Sequence, residues 1–453
     1  MAKKYHFIAI GGVGMSGLAK YLLQQGYEVS GSDISDSKYV QQLRNLGGNI
    51  FIGHDENNVP DDAIVVVSSA IRESNPELKI AREKGLTVYH RSDLLAEISN
   101  SDKCFIGFSG THGKTTTSGM ASYILSKSNE HPSYVVGGII PEYSTNAEYA
   151  PNGKHFIAEL DESDGTIVKY NPNTIVVNNL EADHLDFYKN GLTSVLETFN
   201  YFLDKNSNSK ILVNIDNTGV QQLKNVDKYI TYGLNVADYT AKGISYNHGY
   251  TTFKIYHNNK LLTDAKIILP GEHNVYNALA VIAAINESGC NDIKTCAKHL
   301  ETFTGMGRRF QKVGEIGDIT IYDDYAHHPT EIKSTLSAMK SFTDKKIVAV
   351  FQPHRYTRLQ SLWNDFKDAL SSADRIIVTD VYAASEDAID GINSEKFTSE
   401  MKSAEYISGT MEEVAKKLLP TLNNCVVIGL GAGTITNLGK ELLKQNDILK
   451  IKK

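Results

Sequence analysis

The sequence predicts an α/β protein of three domains: a Rossmann-like N-terminal domain, a central phosphate-loop domain with a mostly parallel sheet, and a Rossmann-like C-terminal domain. Three observations lead there. Short apolar runs that end in glycine or polar turns alternate along the chain with segments of helical period. Two of the strand-to-helix turns are glycine-rich in the manner of anion cradles. The chain, at 453 residues, is too long for one ordinary core.

Composition narrows the class. With 41% hydrophobic residues, 22% charged residues and a net charge of -7, the chain reads as globular, and its mild acidity disfavours a general nucleic-acid coat. No apolar run approaches the roughly 20 residues needed to span a bilayer, and residues 1–5 lead into a strand rather than a signal peptide. The cytoplasm is the expected compartment. Cys104, Cys290, Cys296 and Cys425 are scattered without a C-x-x-C pair, so they read as buried or incidental thiols rather than a disulfide framework or zinc site.

The first domain is expected over 1–101. Residues 7–10 form a strand that enters a G-x-G-x-x-G turn through Gly12, Gly14 and Gly17, with Met15 and Ser16 between the last two glycines. The next helix would carry Met15, Leu18, Leu22 and Leu23 on one face. A second strand ends at Asp33, about 20 residues on, where a dinucleotide fold places its ribose-binding carboxylate. This geometry recognises a pyrophosphate on a helix N-terminus, so NAD and a UDP-sugar fit equally well. Residues 64–67 form another strand, ending in Ser68 and Ser69 at the same crevice. For His90 and Arg91, ligand contact and a solvated loop pair are both open readings.

The central domain is expected over 102–309. A buried strand at 104–108 feeds Gly110, Thr111, His112, Gly113, Lys114, Thr115 and Thr116, and a helix with Met120 and Ile124 inside follows. The pattern departs from G-x-x-x-x-G-K-[ST], since Phe108 stands where the first glycine is expected. Lys114 would nevertheless reach the outer phosphates of a nucleoside triphosphate, and the Thr115 hydroxyl would ligate Mg²⁺. Two later strands, 156–158 and 174–178, run into Glu159-Leu-Asp-Glu-Ser-Asp164 and Asn179-Leu-Glu-Ala-Asp-His184-Leu-Asp186. Ligands in open α/β sheets lie beyond the carboxyl ends of the strands, so these acids and His184 can share one site with Lys114 and Thr115, with His184 turned to a metal role. Asp161, Glu162 and Asp164 read partly as exposed turn or cap residues. Residues 205–265 are a meander of short strands. A helix then opens near 270 with Val275, Leu279 and Ile282 at core spacing. His273, Asn274 and Asn277 in its first turns would either bond an adenine edge or simply cap and cover the helix.

Residues 305–310 read as a hinge into a third domain over 310–453. A strand from 320 gives way to a helix begun by Pro329. The strand at 347–351 ends in His354, Arg355 and Arg358, and two arginines three apart suit bidentate bonds to a carboxylate or phosphate. Strands at 376–380 and 426–431 complete the alternation, with the Gly431-Ala-Gly-Thr434 turn expected to be structural.

In combination, Gly11-Gly-Val-Gly-Met-Ser-Gly17, Gly-Thr-His-Gly-Lys-Thr-Thr116, Glu-Ala-Asp-His184, Asp-Asp-Tyr-Ala-His-His-Pro-Thr-Glu331 and Gln-Pro-His-Arg-Tyr-Thr-Arg358 resemble the Mur ligases of bacterial cell-wall synthesis. The last two motifs are the most specific for the branch that adds alanine. The resemblance implies a UDP-binding N-terminal domain, a central ATPase domain and a mobile C-terminal domain. It implies ATP as substrate, Mg²⁺ or Mn²⁺ as the ion, and UDP-N-acetylmuramate and L-alanine as small-molecule partners, joined through an acyl phosphate. Carried over by motif, Gly12, Gly14, Met15, Ser16, Gly17, Asp33, Ser68, Ser69, His90 and Arg91 would face the UDP-sugar. Thr115, Glu159 and His184 become metal ligands. His273, Asn274, Asn277, Arg309 and Asp324 join the phosphate loop as ATP contacts. Tyr325, His327, His354, Arg355 and Arg358 would frame the amino acid, with Lys114 and His327 as the catalytic pair and His327 aiding deprotonation of the amine. Several Mur ligases carry a carbamylated lysine roughly fifteen residues beyond the metal-binding histidine, where this chain has Phe199 and Asn200. Competing readings are a ligase that takes a preformed peptide, an NAD-dependent oxidoreductase and a non-catalytic nucleotide sensor.

Overall fold

The computed structural model describes residues 3–451 apart from 186, 248, 291 and 385. Three sheets organise the chain. In the first, the strands lie in the order Asn49–Ile52, Glu28–Asp33, Lys4–Ile8, Ala63–Val67 and Val88–His90, all parallel. The winding reverses beside Lys4–Ile8, so the carboxyl ends of that strand and of Ala63–Val67 flank a switch-point crevice.

The second sheet has ten strands, ordered Lys260–Ile267, Tyr250–His257, Tyr239–Asn247, Ile230–Gly233, Lys210–Asn214, Thr174–Val177, Cys104–Ser109, His155–Glu159, Ser133–Ile140 and Thr145–Glu148. Pairing is parallel from Tyr239–Asn247 across to Ser133–Ile140, and the final hairpin is antiparallel. Phe105, Ile106, Phe108 and Ile175 to Val177 are buried, as strands with both faces covered require. The third sheet runs Gln311–Ile316, Ile319–Asp324, Cys425–Leu430, Lys346–Phe351, Arg375–Val378 and Ala404–Tyr406, parallel except for its first pair. The α/β class and the mostly parallel sheets expected from the sequence are thus present.

Compactness divides the chain differently from the sheets. Residues 1–244, 253–266 and 276–303 form one unit, and 245–252, 267–275 and 304–453 form the other. The first two sheets share a unit because one apolar core runs through both. The helix Val13–Gln24 supplies Tyr21, which meets Phe156 edge-on at 5.7 Å and Tyr149 at 5.4 Å, while Phe105 packs on Phe156 at 5.2 Å. Each such pair adds about 0.5–1.5 kcal/mol beyond its buried area. Lys20 reinforces the junction by bonding Thr145 and Glu148 at 2.8 and 3.1 Å. In the second unit, separate cores built on Ile332, Leu336 and Met339 and on Val414, Leu418 and Leu442 pack onto the third sheet.

One sequence expectation changes here. Cys290 and Cys296 are not scattered but bring their Sγ atoms to 3.4 Å, both as free thiols. Phe199 is fully buried in the helix Leu192–Lys205, and Asn200 accepts a bond from the Lys224 amide at 2.8 Å, so this stretch is occupied structurally. Among the described residues, no helix is long and apolar enough to cross a membrane.

Candidate active site

The phosphate loop follows Cys104–Ser109 and opens the helix Lys114–Lys127. Gly110 has φ +117°, and a Cβ there would lie 2.8 Å from the Asn179 carbonyl, so only glycine fits. Gly113 sits at the helix N-cap with φ +85°. Asn179 clamps the loop from the neighbouring strand end: its carbonyl accepts from the Thr111 amide at 2.9 Å and its Oδ1 from the His112 amide at 2.7 Å. The first turn of the helix thereby directs its N–H groups, which lack intrahelical partners, toward an incoming anion. Asn277 stands beside this turn, its Oδ1 3.0 Å from where a Gly113 Cβ would be.

Lys114 is buried, and its Nζ donates to the Gly110 and Thr111 carbonyls at 2.7 and 3.2 Å and to Glu162 Oε1 at 2.9 Å. Burial alone would lower its pKa; Glu162, then Asp161 and Glu159, outweigh that and push it up to about 12. It is a fixed cation. Thr115 Oγ1 donates to Glu159 Oε2 at 2.7 Å. A Cβ on Gly137 would lie 2.2 Å from that carboxylate oxygen and 3.0 Å from the threonine hydroxyl, so only glycine lets these two hard oxygen donors sit against this strand. That chemistry fits a small divalent cation. His184 has φ +52° and turns its ring toward Asp183, with Nε2 to Oδ2 at 3.7 Å. Among the described residues no three His, Cys, Asp or Glu side chains group closely enough to hold a metal, and Asp186 lies outside the described residues.

In the acidic turn after Glu159, Asp161 and Asp164 cap the turn through the Ser163 and Thr166 amides as expected, but Glu162 departs from that expectation. Glu162 is 1% exposed, Asp161 pairs with Arg91, and Asp164 accepts from Ser69 Oγ at 3.1 Å. The cause is the shared core, which presses this turn against the first sheet. Lys114 and Arg91 together hold Asp161 well below the usual carboxylate range despite its burial. Burial pushes Glu162 up to about 7, against the pull of Lys114.

At the first sheet's switch point several expected ligand residues have internal work. Asp33 Oδ2 accepts from the Gly11 amide at 2.8 Å and Oδ1 from the Ser35 amide at 3.0 Å, bracing the glycine turn rather than standing open. Met15 is in the core, and Ser16 is buried with its hydroxyl bonded to the Val13 carbonyl at 3.0 Å. Both point inward because the helix is packed on that face. Gly17 is pressed against Asn146, whose amide donates to the Val13 carbonyl at 2.7 Å. Gly12 and Gly14 remain at the turn, with Arg91 Nη1 3.7 Å from a Gly14 Cβ position. His90 and Arg91 are not a loop pair. His90 caps the helix Arg91–Ser99 in a capping box with Asp93 and also meets Ser69 Oγ at 3.1 Å.

The second unit gathers the remaining candidates. Arg308 and Arg309 lie over the Tyr325 ring at 4.8 and 5.0 Å, Tyr325 meets His327 at 5.2 Å, and His354 stacks on Tyr382 at 5.5 Å. The His327 and His354 rings are 5.9 Å apart. Burial is the main cause that lowers His327 to about 4 and His354 to about 3, so both imidazoles are neutral near pH 7. Nδ1–H of His327 donates to the Tyr325 carbonyl at 3.0 Å, which leaves its Nε2 as the acceptor. Arg358 donates to His354 Nδ1 at 3.2 Å. Arg355 occupies φ +71° at the start of the helix Tyr356–Ser361, and its buried Nε has no hydrogen-bond partner. A residue held in that conformation with a donor unsatisfied is suited to an anion. Asp324 is committed internally: its oxygens accept from the Phe310 and Ala326 amides, both at 2.7 Å, and burial pushes it up to about 6. His273 is exposed, with Nδ1 2.9 Å from Ser334 Oγ, and Asn274 donates to the Pro270 carbonyl at 2.8 Å. Tyr382, Glu162 and the Asn178–Asn179 clamp have no sequence motif of their own. Only their position just past strand ends could have pointed to them.

This fold and site define an α/β enzyme with a phosphate loop on its central sheet and a basic, imidazole-lined pocket on its last. Residues 4–103 match the "Mur ligase family, catalytic domain", 108–285 the "Mur ligase middle domain", and 308–433 the "Mur ligase, glutamate ligase domain". The UDP-N-acetylmuramate–L-alanine ligase of Geotalea daltonii is 40% identical over 454 residues, with 98% of each chain covered. That of Hydrogenobaculum sp. is 41% identical over 448 residues, again with 98% of each covered. Among solved structures, the UDP-N-acetylmuramate–alanine ligase of Thermotoga maritima is similar with a TM-score of 0.82 at 30% identity, covering 98% of this chain and 99% of that one. The chain belongs to the Mur ligase family, and it is an ATP-dependent ligase.

Proposed function

We propose that this chain joins L-alanine to the carboxylate of UDP-N-acetylmuramate, with ATP converted to ADP and phosphate, in the synthesis of peptidoglycan precursors. The observation that carries the reading is likeness to L-alanine ligases at 40% identity over 98% of the chain, which takes in all three sheets rather than the phosphate loop alone.

The residues account for the steps. A carboxylate is a poor electrophile with a poor leaving group, so it must first be phosphorylated. Lys114, held cationic, and the N–H groups of the first helical turn receive the triphosphate and offset the charge that develops as the muramate carboxylate attacks the γ-phosphorus. Thr115 and Glu159, with His184, are the residues to hold Mg²⁺, which when bound would neutralise the phosphate oxygens. The switch-point crevice of the first sheet takes the UDP pyrophosphate. Arg355 and Arg358 grip the alanine carboxylate. His327 Nε2 then accepts a hydrogen bond from the alanine amine, whose proton passes to solvent. With a pKa of about 4, His327 is a weak base, so its part is to orient and accept a hydrogen bond while the amine attacks the acyl phosphate. Phosphate leaves the tetrahedral intermediate.

A phosphate-release assay with ATP, UDP-N-acetylmuramate and L-alanine, each omitted in turn, tests the reading. Release is expected only with all three. A preformed peptide acceptor replacing alanine with equal or faster release would overturn the choice of amino acid, and absence of muramate oxygen from the released phosphate would overturn the acyl phosphate.

A further inference from the structure

The three N–H donors of the Lys114 ammonium are matched by three acceptors, all turned inward: the Gly110 carbonyl, the Thr111 carbonyl and Glu162 Oε1. For this lysine to reach a phosphate it must exchange at least one of them. The two carbonyls belong to the loop itself, whereas Glu162 carries charge and competes directly with an anion. Glu162 cannot follow the lysine outward, because its carbonyl is pinned by the Tyr188 hydroxyl at 2.5 Å and by the Gly165 amide at 2.9 Å. Among the described residues, its buried Oε2 has no hydrogen-bond partner.

We propose that Glu162 is a positioning residue that holds Lys114 in the nucleotide-free chain, and that phosphate displaces it, whereupon the abandoned carboxylate takes a proton from solvent. This rests on the ATP reading above. Among the described residues, Lys114 is the cation that acts on Glu162. Lys114 comes from the phosphate-loop helix and Asp161 from the same turn, Tyr188 meets the Glu162 carbonyl from the following turn, and Arg91 is committed to Asp161. A buried carboxylate among acids, once stripped of its ammonium, is neutral rather than ionised. With Lys114 in place, burial has already brought it up to about 7, so at pH 8 it is mostly ionised before nucleotide binds. Nucleotide binding is therefore coupled to proton uptake, and Glu162 sets a threshold that keeps the cradle closed to weakly held anions.

The test is calorimetric titration of the full chain with ADP in the presence of Mg²⁺ at pH 8, in buffers of different ionisation enthalpy. At this pH the ADP phosphates have already lost their protons. Uptake of about one proton per ADP is expected for the wild type. Glu162→Gln, which removes the competing charge, is expected to bind ADP roughly tenfold more tightly with no proton uptake. Wild-type binding without proton uptake would overturn the proposal, as would Glu162→Gln binding no more tightly than wild type. If the variant fails to fold, the wild-type titration alone decides. Failure of the ATP reading itself would look different, as no ADP binding by the wild type.

Discussion

Glu77→Gln is expected to weaken the first sheet by about 3 kcal/mol at neutral pH. The Glu77 side chain is fully buried beneath the strand Glu28–Asp33. It accepts from the Ser32 hydroxyl, from Asn58 Nδ2 at 2.8 Å and from the Asp55 amide at 3.3 Å, with His54 Nδ1 at 3.3 Å and His6 Nε2 at 3.7 Å. Burial by itself would raise its pKa. The nearby His6 ring and the bonds from Ser32 and Asn58 outweigh that and lower it from 4.5 to about 2. That lowering, at about 1.36 kcal/mol for each tenfold change in the proton equilibrium, gives the figure above. Because the folded pKa is the depressed one, this stabilisation is complete above about pH 4.5 and is lost as pH falls through about 2. A chain of several sheets has no single unfolding free energy, so hydrogen exchange of the amides in Lys4–Ile8 and Glu28–Asp33 is the suitable measure. Protection in the variant should fall roughly a hundredfold at pH 7, and the deficit should shrink toward pH 3. Less than a threefold change, or a deficit constant with pH, would refute the reasoning. Ser32 adjoins Asp33, which braces Gly11, so the KM for the UDP-sugar should rise while that for ATP stays put.

Lys114→Ala should lower phosphate release by roughly a thousandfold, and a rate within tenfold of wild type would remove the lysine from the mechanism. Gly113→Ala places a side chain at φ +85° and 3.0 Å from Asn277 Oδ1, so the affinity for ADP should drop about tenfold, measured by the same calorimetry. Arg358→Lys cannot keep both a bidentate grip and the bond to His354, so the alanine KM should rise about tenfold with the ATP KM unmoved. His327 and His354, lowered to about 4 and about 3, stay neutral from pH 5.5 to 8, so the alanine KM should show no histidine break in that range; an inflection near 6.5 would mean that burial does not govern them.

What the sequence made legible was local. The strand Cys104–Ser109, its glycine turn and the helix from Lys114 follow from hydrophobic period and from backbone geometry that few residues other than glycine allow. The helix begun by Pro329 and the buried positions Val275, Leu279 and Ile282 follow in the same way. Side chains whose roles depend on distant partners were not legible. Glu162 stands among polar neighbours that read as an exposed turn, and its burial comes from packing against the first sheet and from Tyr188. Asp33 and Asp324 carry acids at the expected places, yet nearby amides claim their oxygens, a competition that spacing does not encode. Tyr382 reaches His354 through a bridge between strand ends far apart in sequence.

The apolar seam of Tyr21, Phe105 and Phe156 sets a limit on modularity. Cutting the chain after residue 101 would leave Tyr21 and its helix neighbours facing water, and a fragment of that length would be prone to stick to itself. The piece that recombination or protein engineering could transplant intact is therefore the two leading sheets together, with the pyrophosphate crevice and the phosphate loop inherited as a matched set.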